Sequence, residues 1–73
     1  PPQKIVLSQV KAIKELEAKL DNECRDKLYS WLNSAFKIDK IEDITVDNFQ
    51  KTLGAFENAV KFVEQQKLEV ANA

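Results

Sequence analysis

From Gln3 to Ala73 the chain holds a single glycine, Gly54, and no proline; both prolines, Pro1 and Pro2, stand at its very start. Strands that double back need turn formers, so a chain this poor in them is poor in hairpins and is left with helices. Hydrophobic residues make up 44% and charged residues 32%, which is too apolar for a disordered chain and ordinary for a globular one. Seventy-three residues hold one core. A domain near this size hides only about 60% of the surface that its open chain exposes, so its stability is marginal.

Three apolar stripes follow. Val10, Ile13, Leu16 and Leu20 recur at three and four residues and share one helical face, with Lys11, Glu15, Ala18 and Lys19 on the other. Ser8 is the expected N-cap of this helix. The pattern breaks at Asp21-Asn22, where an Asx side chain can cap a second helix from about Glu23 to Lys37. Cys24, Leu28, Trp31, Leu32, Ala35 and Phe36 give that helix an apolar face so wide that it is expected to be central, touching neighbours on two sides. Ile38, Ile41 and Ile44 keep a three-residue beat, which reads as a connector with one 3₁₀ turn pinned to the core. Thr45 is then expected to cap a third helix, with Asp47 well placed against its dipole.

Phe49, Leu53, Phe56, Val60 and Val63, spaced four, three, four and three, form the cleanest periodic signal in the chain. The helical pattern runs on to about Glu69, for a helix roughly 36 Å long, so its last turns are expected to project beyond the core. The fold class expected is therefore all-α, a small three-helix bundle with a long C-terminal helix. Residues 1–7 read as a linker remnant, 8–70 as the helical domain and 71–73 as a disordered tail. A start at Pro1 with no Met suggests a fragment of something longer.

Eleven basic and twelve acidic residues leave a net charge of −1. Tight hold on nucleic acid through phosphates draws on a basic excess, which is missing, so no tight nucleic-acid binding by this chain alone is expected. The chain has no His, the commonest general base and metal ligand. Cys24 lies on an apolar face, where a free thiol is normally a core residue, and its neighbour Arg25 is not accompanied by any visible base. Asp39, Glu42, Asp43 and Asp47 lack the spacing and central glycine of a calcium loop and read as a solvated turn. Trp31, with Lys27 and Lys37 nearby, reads as a core anchor before a base-stacking platform. Gly54 is expected to mark the close approach of another helix. No enzyme, cofactor or metal is expected, and no apolar run reaches the roughly 20 residues that span a bilayer.

What remains is binding. Off the main stripe of the third helix, Ala55, Ala59 and Phe62 fall together, flanked by Lys51 and Asn58. With Lys11 and Lys14 on the outer face of the first helix, they form a candidate docking patch for an acidic, apolar-ended partner. Alternatively residues 4–7 fold back and cover Phe62.

The order of elements resembles the C-terminal domains of phage single-strand annealing proteins of the lambda Red beta family. The resemblance is carried by Ile44-Thr45, by Lys51-Thr52-Leu53-Gly54-Ala55-Phe56 and by Gln65-Gln66-Lys67, and spans most of residues 8–67. Lys37-Ile38-Asp39-Lys40 stands where that family carries a basic run. The resemblance implies a non-catalytic protein-protein interaction module of a homologous-recombination protein in the bacterial cytoplasm. It would recruit a companion exonuclease or the host single-stranded DNA-binding protein, with a homo-oligomeric parent. Self-association through the projecting helix and a small DNA-binding domain are the rival readings.

The charge balance makes one outcome testable directly. Anisotropy titration with a labelled single-stranded oligonucleotide at physiological salt is expected to show no binding tighter than about 100 μM; micromolar binding with a steep salt slope would restore the DNA-binding reading.

Overall fold

Helix α1 (Leu7–Glu17), helix α2 (Asn22–Phe36) and helix α3 (Phe49–Asn72) follow one another in a computed structural model that describes residues 2–72. The short 3₁₀ turns Ile41–Asp43 and Val46–Asn48 lie between α2 and α3. The molecule is an all-α bundle of three helices, the last one long.

The start of α1 lies two residues ahead of the Ser8 expectation. Val6 is the cap residue, and Gln9 Oε1 accepts its backbone N–H at 2.9 Å, so a side chain inside the first turn closes the helix end. Asp21 does cap α2, its carboxylate accepting the Cys24 N–H at 2.8 Å. The helix stops at Lys37, which adopts the left-handed conformation (φ 60°) and donates its N–H to the Asn33 carbonyl at 3.0 Å. Thr45 precedes the second 3₁₀ turn and not α3, and its hydroxyl makes no capping bond. The polar side chain that serves this region is Thr52, fully buried, whose hydroxyl donates to the Asn48 carbonyl at 2.9 Å. That bond removes the penalty of burying a bare hydroxyl.

Phe56, Ile13, Leu32, Ile41, Ile44 and Thr52 are the largest side chains with essentially no exposure. They come from all three helices and the connector, and they mark where these meet. The isoleucine beat works as expected: one 3₁₀ turn has three residues, so Ile38, Ile41 and Ile44 all point inward. The central helix, however, is α3. It packs against α1, α2 and the second 3₁₀ turn, and α2 buries only Leu32 completely. Leu28, Tyr29, Trp31 and Phe36 are half-buried on the flank of the core, with Trp31 and Phe36 in edge-to-face contact at 5.4 Å.

The segment expected to be a linker is part of the fold. Ile5 is buried and donates its N–H to the Ile44 carbonyl at 2.9 Å, while Val46 donates to Gln3 at 2.9 Å. Lys4 and Thr45 form an isolated antiparallel bridge, and Lys4 Nζ reaches Asp43 at 2.9 Å. A four-residue extended segment thus lies along the connector, not over Phe62. At the other end Ala71 and Asn72 continue α3 instead of forming a disordered tail, and Ala73 lies outside the described residues. Beyond Val63 every described side chain of α3 is exposed, so the helix projects from the body, in a molecule measuring 51 × 24 × 16 Å.

Gly54 is the clearest departure from expectation. A Cβ added there would meet nothing within 4 Å, so no neighbouring helix approaches it. Its helix-weakening effect is therefore uncompensated, and Gly54→Ala is expected to stabilise the domain by about 0.5–1 kcal/mol. Phe56→Ala, by contrast, is expected to cost about 3–5 kcal/mol, and Leu53→Ala, only half-buried, distinctly less. Urea unfolding of the three variants checks this ranking; equal losses at Leu53 and Phe56 would place the buried stripe elsewhere.

Candidate functional site

A groove of about 250 Å³ runs between α2 and α3, lined by Cys24, Lys27, Leu28, Ala59 and Phe62. It follows from two helical geometries. On α3, at about 100° per residue, Ala59 and Phe62 stand to one side of Phe56, on the flank that faces α2. On α2, Cys24 and Leu28 are one turn apart and the apolar face is wider than one neighbour can cover. The uncovered margin becomes a groove wall. Phe62 is 57% exposed, a large aromatic ring at the rim and not under cover. Lys27 supplies a cation beside the apolar lining and is held loosely by Glu23, 3.5 Å away and one turn back on the exposed face of α2.

Of the six residues singled out in the sequence, Ala59 and Phe62 share this groove. Ala55 is half-buried and Lys51 exposed on the same helix, but neither lines it. Lys11 and Lys14 stand on α1, away from the groove, and Lys14 Nζ is engaged with Glu42 of the connector at 2.9 Å. The patch is therefore bounded by helix two, not helix one. Cys24, Leu28 and Lys27 were missed as groove residues. The signal was present in the excess width of the α2 face, which can mean either a second buried contact or an uncovered margin.

The titratable groups around the groove are set by local contacts. Burial, then the neighbouring Asp21, pushes the Cys24 thiol up from its ordinary range, which keeps it protonated and a poor nucleophile. Burial also raises Tyr29, whose hydroxyl donates a hydrogen bond to Glu17 and so braces α2 against the end of α1. The Cys24 backbone N–H lowers Asp21, and the Lys14 ammonium lowers Glu42. Arg25 donates to the Leu20 carbonyl at 3.0 Å, closing the turn between the first two helices. Among the described residues no three His, Cys, Asp or Glu side chains gather as a metal-binding group, and no helix is long and apolar enough to cross a membrane. The arrangement offers a short apolar trough with a cationic edge, suited to holding an apolar side chain next to an acidic group.

Comparison with protein-family models, with curated proteins and with solved structures finds no match to this chain.

The lowered carboxylates define an acid limb of stability. A group whose folded pKa lies below its unfolded value stabilises the fold above the unfolded value, here 3.8 for Asp21 and 4.5 for Glu42. That contribution is lost as pH falls through the lower folded value. Melting temperature is accordingly expected to fall as pH drops from about 5 to about 3. In Asp21→Asn, which keeps a capping side chain without the titrating charge, the fall is expected to be shallower. An identical slope in the variant would show that the Asp21 cap is not part of the acid response.

Proposed function

We propose that this domain is a non-catalytic partner-binding module and that the groove between α2 and α3 is where it holds its partner. The observation that carries this reading is Phe62, 57% exposed at the rim of an apolar trough. An isolated surface apolar residue needs no explanation, but an aromatic continuous with Leu28, Cys24 and Ala59 is the kind of anchor that dominates small interfaces. Lys27 favours an acidic group close to the apolar one. A peptide with an apolar terminus behind acidic residues meets both requirements.

The resemblance of residues 8–67 to the tail domains of phage single-strand annealing proteins supplies the biological setting. On that reading the domain belongs to a homologous-recombination protein acting in the cytoplasm of a bacterial host. DNA annealing is left to the rest of that protein, and this domain recruits the host single-stranded DNA-binding protein through its acidic tail, or a companion exonuclease. The net charge of −1 supports that division of labour.

Titration of the labelled domain with an acidic, apolar-ended peptide, followed by backbone amide shifts, is the test. Affinity is expected to be micromolar and to weaken with salt, since a small interface with one exposed cation gains little from charge. Shifts are expected at Cys24, Lys27, Leu28, Ala59 and Phe62. Phe62→Ala is expected to lose at least about tenfold in affinity, Lys27→Ala a few-fold, and Lys11→Ala nothing. Unchanged binding by Phe62→Ala, or shifts confined to α1 and the connector, would overturn the assignment of the groove.

A further inference from the structure

The free end of α3 carries a second, separate feature. Val63, Gln66, Lys67, Val70 and Ala71 line an open cleft of about 410 Å³, and its far wall is Asp21 at the turn between α1 and α2. The stripe of the third helix therefore does not stop where the body ends. Val63 is at the edge of the core, while Val70 is 77% exposed one heptad further on. Between them, four residues after Val63 and three before Val70, stands Lys67 on the same face. Turns of helix without tertiary packing are marginal in water, so an apolar stripe on a projecting end calls for cover.

The charges identify the cover. The cleft presents one acid, Asp21, whose cap bond to Cys24 uses only Oδ1. Neither Asp21 nor Lys67 takes part in an ion pair among the described residues. An occupant that fits offers an exposed apolar residue with a cation one turn before it, and the end of α3 has that pair in Lys67 and Val70. We propose that a second copy of the chain covers this cleft, the two α3 ends packing antiparallel about a two-fold axis at the level of Gln66 and Lys67. In that register Val70 of each copy meets the Val63 region of its partner. Each Lys67 stands at the level of the other copy's Asp21, so two equivalent ion pairs form at once. Two or three turns of helix bury less than the roughly 1,200 Å² of a standard interface, so the association is weak. It is independent of the Phe62 groove and stands or falls separately from the peptide reading.

Analytical ultracentrifugation from micromolar to millimolar protein tests it. The weight-average mass is expected to climb from 8.4 kDa toward twice that value. Lys67→Glu sets like charges together and Val70→Glu places a carboxylate in the apolar contact, and each is expected to weaken association at least about tenfold. Both sites are exposed in the single chain, so the variants are expected to keep their helix, which far-UV circular dichroism checks. Adding Asp21→Asn to Lys67→Glu removes the repulsion, keeps the cap and is expected to recover part of the association. A mass of 8.4 kDa at every concentration, or association untouched by both single variants, would overturn the proposal. A double variant no tighter than Lys67→Glu alone would overturn the register.

Discussion

Phe56 has no exposed surface, and the rest of the molecule is arranged by what surrounds it. Ile13 of α1, Leu32 of α2 and Ile41 and Ile44 of the connector are equally inaccessible, so three separate segments converge on the middle of α3. In so small a domain this one convergence has to supply nearly all of the hydrophobic stabilisation. It also explains why the extended residues ahead of α1 are ordered. Ile5 completes the rim of the core, and the pairing of residues 3–5 with 44–46 satisfies backbone groups that would otherwise lie bare beside buried isoleucines.

With α3 as the central helix, α2 is left with more apolar surface than it has neighbours. Only Leu32 goes fully under cover. Trp31 and Phe36 satisfy one another edge to face, while Cys24 and Leu28 open onto the trough that Ala59 and Phe62 close from the other side. The trough is thus a consequence of packing geometry: two helices in contact along their inner edges diverge at their outer ones. Its apolar lining is there because the apolar face of α2 is wider than α3 covers.

The charged residues are divided between fastening and availability. Lys4 with Asp43 and Lys14 with Glu42 tie the N-terminal segment and α1 to the connector, in exposed pairs that steer the arrangement more than they stabilise it. Lys27 and Lys67 each line one of the two clefts along α3, beside uncovered apolar surface. A near-neutral net charge therefore conceals a local pattern in which each of these two clefts is lined by one lysine.

Local sequence determined the helical class, the α3 stripe, the Asp21 cap and the isoleucine-pinned connector, because each depends on residues within one or two turns of one another. The same local character made Phe62 legible as an off-stripe aromatic. Which helix lies beside it was not legible: Lys11 and Lys14 share a face with one another, but no repeat within α1 tells which flank of α3 that helix occupies. Nor does the sequence around Gly54 show whether a helix approaches it, since the open space there is set by where α1 and α2 settle. The residues ahead of α1 carry no periodic pattern, and their place in the fold depends on hydrogen bonds to a segment about forty residues away. Local pattern decides what a segment is. Only the competition of all the apolar faces for one small core decides which helix becomes central and which margin stays uncovered.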